Sequence, residues 1–320
     1  MIQSSHWLTD TSIKQVSIGH FYYNFYFVFK MSESGQIFHF KQFDIAQDRC
    51  AMKVGTDGVL LGAWAGSDME GSRRVRKVQT GSKRSEEAEG TQDEDLKTFE
   101  IQSLLETPQV LKVLDIGTGT GLIALMLAQR CNDLQKDFHI DAIEIDPSAA
   151  QQAAENAASS PWDKQIAVHP CSLAEYMVNR ASNSPTYDLI LSNPPFYNGT
   201  LKPEDQARAT ARHKDSLPLK EIMQCAQQTL SSQGRLSMIY PSDYDNEVME
   251  TAILAGLKPL RICNILTKVG KPCKRRMAEF CRNDIAQETT FETLSMRNED
   301  GNYSDQYINL TLPFYTHLKG

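Results

Sequence analysis

The sequence has no closely spaced pair of cysteines. Its seven cysteines are scattered, odd in number and free of any Cys-x-x-Cys motif. A disulfide framework or a structural zinc site needs paired or clustered cysteines, so the spacing argues against both. The pattern is typical of reduced thiols, and it predicts a cytoplasmic protein with no bound metal.

Long apolar runs and an excess of positive charge are also missing. The longest apolar and aromatic stretch, residues 21–29, is interrupted by Asn24 and is far shorter than a membrane span of about 20 residues. It also lacks the charged start and small-residue cleavage site of a signal peptide. We therefore expect no membrane association. The formal net charge is −7, so a nucleic-acid partner would need a local basic patch.

Two segments differ in composition from the rest of the chain. Residues 1–35 are predicted to be a poorly ordered amino-terminal extension, because a stretch typical of a natural amino terminus begins at Met31. Residues 66–106 run from basic to acidic with few apolar residues, which predicts a disordered insertion. A nucleic-acid-binding arm is the alternative interpretation of that segment. The remainder of residues 36–320 is predicted to form one domain.

A strand, a glycine-rich turn and a helix follow one another between residues 110 and 128. The apolar run Val110–Ile116 has the pattern of a buried strand, and Leu122–Ala128 has that of a helix. Further strand patterns alternate with helical ones along the chain, and Pro147 is typical of a first helical turn. This alternation predicts an α/β architecture.

The glycine turn departs from the dinucleotide-binding fingerprint. That fingerprint requires glycine where Leu122 stands, whereas the spacing here is Gly-x-Gly-x-Gly. With no phosphate to cradle, the glycines would let the backbone approach an adenosyl-amino acid, which favours S-adenosylmethionine over NAD. Glu144 ends the next predicted strand, where a βαβ unit places an acid against ribose hydroxyls. The candidate cofactor-binding residues of this region are Asp115, Gly117, Thr118, Gly119, Gly121 and Glu144.

A second strand ends abruptly at Asn193-Pro194-Pro195-Phe196. Each residue before a proline is driven to extended geometry, so the Asn193 side chain and the Pro194 carbonyl can point the same way. Ligands of open α/β sheets bind at this end of the strands. Two acceptors beside an aromatic ring suit a planar group bearing an NH2, held by its two N–H bonds and stacked on Phe196. These four residues are the catalytic candidates, and Asn193 is also a candidate cofactor contact. A proline-capped turn with a core phenylalanine is the alternative.

Two other places offer candidate cofactor contacts. The first is an amino-terminal block in which Gly55 and Gly58 indicate a tight turn and Thr56 or Asp57 is expected to cap a helix. It is either a simple helix packing on the sheet or a loop that touches the cofactor. The candidates there are Lys53, Gly55, Thr56 and Asp57. The second place is Ser172, which either contacts the cofactor adenine or caps the helix that follows.

Two basic clusters are candidate substrate contacts. Arg208 and Arg212 lie one helical turn apart, either on a solvated face or against substrate phosphate. Residues 268–276 carry five cations and no acid on a predicted hairpin. In a net-negative chain this hairpin is the strongest candidate for a nucleic-acid footprint, with a solubilising loop as the alternative. Its candidates are Lys271, Lys274, Arg275 and Arg276.

Together these motifs resemble class I S-adenosylmethionine-dependent methyltransferases with an Asn-Pro-Pro-aromatic motif. More closely, the chain resembles the bacterial tRNA(Val) adenine N6-methyltransferases. The stretches that carry this resemblance are Phe40–Phe43, Asp48–Gly58, Leu61–Trp64, Ser160–Trp162, Ser192–Phe196 and Asn302–Ser304. Ser172 stands where that family usually has an aspartate.

The resemblance implies a doubly wound, mostly parallel, Rossmann-like sheet of seven strands and S-adenosylmethionine as cofactor. It also implies methylation of the N6 amine of the tRNA adenine that lies just 3′ of the anticodon. Related enzymes with the same tip act on guanine N2 of ribosomal RNA, on DNA adenine or on a protein glutamine amide. From other classes, a nicotinamide oxidoreductase and a non-catalytic RNA-binding module remain alternatives.

Overall fold

The strand patterns of the sequence form one mostly parallel sheet with helices on both faces. The computed structural model describes residues 37–67, 110–180, 186–196 and 218–317. The predicted extension at residues 1–35 and the arginines Arg208 and Arg212 lie outside these ranges, as does the predicted insertion from residue 68 to residue 106.

The sheet has eight strands in the order β5-β4-β3-β6-β7-β9-β8-β10, and only β9 runs against its neighbours. Its strands are β3 (Leu111–Ile116), β4 (Phe138–Glu144), β5 (Ile166–Pro170), β6 (Tyr187–Ser192), β7 (Leu230–Pro241), β8 (Leu257–Leu266), β9 (Cys273–Arg282) and β10 (Thr290–Ser295). A separate antiparallel pair is formed by β1 (Ile37–His39) and β2 (Asp44–Ala46).

The prediction of seven strands is wrong by one. The additional strand, β10, pairs in parallel with β8 at the sheet edge. Four of its six residues are exposed, and only Leu294 is buried. An edge strand with one buried side chain has no apolar alternation for a sequence reader to detect.

Seven α-helices connect these strands in the described part of the chain. They are α1 (Thr56–Trp64), α2 (Leu122–Asp133), α3 (Pro147–Ala158), α4 (Leu173–Asn179), α5 (Leu219–Thr229), α6 (Asp245–Leu254) and α7 (Asp305–Thr311), with a 3-10 turn at Ser242–Tyr244. Within the described ranges, no helix is both long and apolar enough to cross a bilayer.

One sheet face forms the core with α4, α5 and α6. Alternate strand residues such as Leu114, Ile190 and Met238 pack there against helix residues such as Ile222 and Val248, all fully buried. Alternation along a strand sends the intervening residues, Asp115 among them, to the opposite face. The opposite face is also packed, since Val113, Leu125 and Met126 are fully buried there, and Asp115 lies among them at the end of β3.

Helix α1 packs on α2 through two glycines. A Cβ added at Gly62 would lie 2.8 Å from the Met126 sulfur, and one at Gly58 would lie 3.0 Å from Leu122 Cδ2. The two helices approach each other closely because these positions carry no side chain. After α1, the Gly66 N–H donates to the buried Glu279 at 2.7 Å, and Arg261 donates to Ser67 Oγ at 3.0 Å. Gly66 and Ser67 are thus part of the packed structure, although the sequence placed them in the insertion.

The amino-terminal strand pair docks on the carboxyl-terminal segment. Phe40 forms a β-bridge with Tyr315, and their rings stack 5.9 Å apart. The Lys41 N–H donates to the Phe314 carbonyl at 2.8 Å, and its amine donates to the Leu312 carbonyl at 2.6 Å. The turn between β1 and β2 is therefore joined to the segment that follows α7.

Candidate active site at the carboxyl edge of the sheet

The glycine turn and the Asn-Pro-Pro tip leave the sheet side by side. In the parallel pair β3 and β6, Ile116 is the register partner of Ser192, and the Ser192 hydroxyl donates to the Ile116 carbonyl at 3.0 Å. Gly117 and Asn193 are the next residues of the two chains. Because neighbouring strands lie about 4.8 Å apart, the two predicted motifs begin at adjacent points of one edge.

All three glycines of the turn have backbone angles in the left-handed region. The φ angles of Gly117, Gly119 and Gly121 are 73°, 57° and 81°. A Cβ at Gly119 would have nothing within 4 Å, whereas one at Gly121 would lie 3.6 Å from Ala153 of α3. Gly119 thus presents bare backbone to open space, and Gly121 is required by its positive φ rather than by lack of room beside α3. This is the arrangement that close approach of a ligand to the backbone requires.

Asp115 is fully buried at the end of β3. Its Oδ2 accepts a hydrogen bond from the Thr118 hydroxyl at 2.6 Å, while its Oδ1 is buried without a hydrogen-bond partner among the described residues. Burial raises the pKa of the Asp115 carboxyl to about 6. A buried acceptor of this kind is costly unless a donor completes it, so it fits a ligand that brings an N–H group.

Glu144 connects the glycine turn with the start of α3. Its carboxylate accepts from the Gly119 N–H at 2.9 Å and from the Asp146 N–H at 3.0 Å. Asp146 in turn caps α3 by accepting from the Ala149 N–H at 2.8 Å. The predicted acid and the predicted turn are therefore in direct contact, with Glu144 at the same edge as Gly117.

The residues of the tip differ in exposure. Pro194 is buried, Pro195 is exposed, and Asn193 and Phe196 are half-buried. The Phe196 ring packs at 4.9 Å from the Tyr244 ring and at 6.2 Å from the Tyr240 ring, between ring centroids. Phe196 therefore belongs to the core face of α4, α5 and α6 and leaves part of its surface exposed near Asn193.

The amino-terminal block that holds Lys53, Gly55, Thr56 and Asp57 lies near the same edge, but these residues have different contacts. Gly55 is the residue before α1, and neither Thr56 nor Asp57 caps the helix, because α1 already begins at Thr56. The Lys53 amine donates to the Gln47 carbonyl. Asp57 instead forms an ion pair of 2.8 Å with Arg275. Which of these four residues binds cofactor stays a prediction.

Contacts that local sequence signals did not reveal hold the loop before α1. The Asn193 amide nitrogen lies 3.8 Å from the Met52 sulfur. The Gln152 side chain accepts from the Arg49 N–H at 3.0 Å, and Asn156 exchanges two hydrogen bonds with the Ala46 backbone at 3.0 and 2.9 Å. Gln152 and Asn156 lie on α3, more than 100 residues from their partners, so no spacing rule could have paired them.

Ser172 is a helix cap. Its hydroxyl accepts from the Glu175 N–H at 3.2 Å, and the Glu175 carboxylate accepts from the Ser172 N–H at 2.9 Å, which together form a capping box on α4. The capping interpretation is confirmed. Ser172 also follows β5 at the carboxyl edge, so its predicted contact with cofactor stays a prediction.

The basic hairpin between β8 and β9 lies at the same edge, but its cations have different surroundings. Lys271 and Lys274 are exposed. Arg275 pairs with Asp57 as described, and Arg276 pairs with Asp245 and donates to Asn264 Oδ1 at 2.9 Å. The two lysines therefore present their charge to solvent, whereas the two arginines already have anionic partners.

The titratable residues do not form a metal site in the described ranges. No group of three or more His, Cys, Asp or Glu side chains there is placed to hold a metal ion. All seven cysteines lie in the described part of the chain, and all are free thiols.

The sheet order, in which the antiparallel strand β9 is third from one edge of an otherwise parallel array, and the glycine turn beside the Asn-Pro-Pro tip define a class I methyltransferase. The family model of the methyltransferase small domain matches residues 98–255. The comparison with curated proteins is more specific, and the chain belongs to the tRNA1(Val) (adenine(37)-N6)-methyltransferase family.

Three relatives illustrate that membership, and each is named as a tRNA1(Val) (adenine(37)-N6)-methyltransferase. The protein of Bacteroides fragilis strain ATCC 25285 is 39% identical over 285 residues, which cover 89% of this chain and 100% of the relative. That of Porphyromonas gingivalis strain W83 is 39% identical, covering 88% and 95%. That of Trichodesmium erythraeum is 37% identical, covering 88% and 98%.

Solved structures of other methyltransferases are more distant. A predicted O-methyltransferase from Agrobacterium tumefaciens shares 16% identity with a TM-score of 0.47, covering 68% of this chain and 95% of that one. A methyltransferase from Pyrococcus furiosus shares 18% identity with a TM-score of 0.35, covering 68% and 98%.

Proposed function

We propose that this protein transfers a methyl group from S-adenosylmethionine to the N6 amine of adenine 37 in tRNA1(Val). The observation that carries the proposal is the pairing of Ile116 with Ser192, since it brings the glycine turn and the Asn-Pro-Pro tip to one edge, as transfer between a cofactor and an amine would require. The names of relatives that align over nearly the whole chain supply the substrate.

The residues of the glycine turn fit S-adenosylmethionine, which supplies a methyl group on a positively charged sulfur. Asp115 offers a buried acceptor with an uncompleted hydrogen-bonding capacity, which suits the cationic amino group of an amino acid. Gly119 offers exposed backbone, and Glu144 offers carboxylate oxygens for ribose hydroxyls. Gly117, Thr118 and Gly121 shape the turn between them.

Asn193 and Pro194 would hold the target amine. The lone pair of an exocyclic adenine amine is delocalised into the ring, so the nitrogen is a poor nucleophile. Asn193 Oδ1 and the Pro194 carbonyl, each accepting one N–H, would favour a pyramidal nitrogen and orient its lone pair toward the donor. Catalysis of this kind depends on positioning and electrostatics. The proton can leave to water after transfer, so the proposed site needs no dedicated general base.

Phe196 would stack on the adenine ring. Stacking of a base on an aromatic side chain contributes roughly 1–3 kcal/mol in single-strand binders. An adenine beside the anticodon is already unpaired, so extruding it costs less than flipping a base out of a duplex. Exposed Lys271 and Lys274 would contact the phosphates around it. We also propose that the protein acts in the cytoplasm, as the cysteine pattern predicts.

A methyl-transfer assay with separate substrate pools tests the proposal. The full chain is incubated with labelled S-adenosylmethionine and, in parallel, with an unmodified tRNA1(Val) transcript, ribosomal RNA, double-stranded DNA or a protein pool. We expect label in the tRNA alone, located at adenine 37 and lost when that adenine is replaced by guanine. Labelling of another pool would reassign the substrate, and binding of tRNA without transfer would indicate a non-catalytic module.

A further inference from the structure

An exposed methionine lies against the predicted catalytic asparagine. Met52 is 53% exposed, although it is a large apolar side chain, and its sulfur is 3.8 Å from the Asn193 amide nitrogen. Met52 precedes Asn193 by 141 residues, so only the tertiary structure brings the two side chains together. An exposed apolar group beside a polar site is more informative than an exposed apolar group elsewhere.

The loop that carries Met52 is held on both sides of it. We call residues 47–54 the amino-terminal loop. At its start, Gln152 of α3 accepts from the Arg49 N–H at 3.0 Å and donates to Asp48 at 2.5 Å. At its end, the Gln47 side chain accepts from the Val54 N–H at 2.8 Å. With both ends held in this way, the loop presents Met52 at a defined position.

Met52 and Phe196 approach Asn193 from opposite faces of the sheet. The amino-terminal loop is anchored on α3 and leads into α1, and α1 packs against α2 on the face to which Asp115 points. Phe196 packs against Tyr244 and the core of the other face. Met52 therefore contacts Asn193 from the side of α3, and Phe196, three residues after Asn193, packs on the core of the other face.

We propose that Met52 positions the target base by forming an apolar wall that faces Phe196, and that Gln152 sets its place through the amino-terminal loop. This rests on the proposed function, since the planar base is the adenine that Asn193 would hold. A thioether contacts aromatic rings favourably and adapts to their edges. A base bounded by Met52 and Phe196 would lie in the plane that directs its amine toward Asn193.

The first experiment measures methyl transfer to the tRNA1(Val) transcript by full-length Met52→Ala, Met52→Leu and Leu254→Ala proteins. Leu254 is a matched control because it is 80% exposed and ends α6, just before β8 begins at the amino ends of the parallel strands. We expect Met52→Ala to lower kcat/KM for tRNA about three- to tenfold. We expect Met52→Leu to recover most of that loss and Leu254→Ala to match the wild type.

Cofactor affinity separates the proposal from a role in the cofactor pocket. We expect the Kd of S-adenosylmethionine, measured by calorimetry, to change less than about twofold in Met52→Ala, since the base and not the cofactor lost its contact. Unchanged kcat/KM, or a loss confined to cofactor affinity, would overturn the proposal. A wild-type protein that leaves the tRNA unlabelled would instead contradict the proposed function.

The role of Gln152 is tested by a double-mutant cycle. If Gln152 acts by placing Met52, then Gln152→Ala should lower kcat/KM in the wild type and have little further effect in Met52→Ala. Independent losses that add in the double variant would overturn that part of the proposal. Because Gln152 is fully buried, thermal melting of each variant is recorded, and the comparison is made at a temperature where all are folded.

Discussion

The glycine turn and the basic hairpin both lie at the carboxyl edge of the sheet, but their contacts differ in how far they reach along the chain. At the glycine turn, Thr118 bonds Asp115 across three positions of the chain, and Glu144 reaches Gly119 across 25. At the basic hairpin, Arg275 reaches Asp57 across 218 positions, and Arg276 pairs with Asp245. These contacts of the glycine turn therefore span at most 25 positions, whereas the surroundings of Arg275 in the basic hairpin depend on a partner 218 positions away.

Cations that are neighbours in the sequence therefore do not all present their charge to solvent in the structure. The hairpin sequence is rich in cations without any acid. In the structure, Lys271 and Lys274 face solvent, whereas the two arginines pair with carboxylates. Asp57 and Asp245 offset the charge that a phosphate would meet at either arginine, whereas Lys271 and Lys274 present theirs to solvent. The cofactor turn, by contrast, keeps the geometry that its sequence spacing predicts.

The largest effect is expected from Asn193, which follows β6 directly beside the glycine turn. Replacement Asn193→Ala removes one acceptor for the amine, and we expect kcat to fall at least about a hundredfold, as for lost transition-state contacts in other enzymes. The Kd for S-adenosylmethionine should remain within about twofold, because the glycine turn is intact. Single-turnover transfer and calorimetry measure the two quantities. Equal loss of both would mean that Asn193 has a structural role.

A substitution at Gly119 tests whether the glycine turn binds the cofactor. Gly119→Ala places a methyl group at a φ of 57°, in the space assigned to the cofactor, and we expect binding of S-adenosylmethionine to weaken at least about tenfold. Gly301→Ala is the matched control, since Gly301 has a φ of 92° and equally open surroundings. Both should cost about 1–2 kcal/mol of stability, but only the first should affect binding. Similar affinities in both variants would remove Gly119 from the site.

The raised pKa of Asp115 predicts a pH dependence of cofactor binding. The ionised carboxyl suits a cationic amino group, so affinity should rise about tenfold from pH 5 to pH 7 and then level off, given a pKa of about 6. Calorimetry at several pH values checks this, and Asp115→Asn should flatten the profile. A profile in Asp115→Asn that still rises through pH 6 would assign the titration to another group.

Folding stability of the ligand-free protein should respond to Asp115 in the opposite sense. Because the pKa rises from its ordinary value of 3.8 to about 6 on folding, this carboxyl stabilises the fold most below pH 3.8. Its contribution is lost as the pH rises through 6. Comparing the Tm of the wild type and Asp115→Asn across this interval isolates the contribution.

The smallest effects are expected from the basic hairpin. Joint replacement of Lys271 and Lys274 by alanine should weaken tRNA binding several-fold and lower the slope of log K against log salt by about 2. Arg276→Ala should instead remove the cation that pairs with Asp245, leaving the Tyr240 hydroxyl as a donor to that carboxylate, and cost about 1–2 kcal/mol of stability. Filter binding over a salt series and thermal melting distinguish the two. A larger salt effect from Arg276 than from the lysines would reverse the ranking.

Much of the candidate site could be predicted because its signals are contiguous. Strand, glycine turn and helix occupy 23 consecutive positions, Leu111–Asp133, and the Asn-Pro-Pro tip directly follows β6. The eighth strand and the contacts of Gln152 and Asn156 could not be predicted. Strand β10 has too few buried residues to show a periodic pattern. Gln152 and Asn156 bind backbone groups more than 100 residues away, and no spacing rule relates such positions.

By itself, the sequence determined the class of sheet, the left-handed glycine turn and the strand that stops at Asn193, because backbone sterics of glycine and proline act on neighbouring residues. Only the tertiary structure decided that Met52 meets Asn193, that Arg275 and Arg276 are paired, and that Gly117 and Asn193 emerge at the same register. These contacts depend on how helices and strands pack, and packing brings together residues whose separation along the chain carries no local signal.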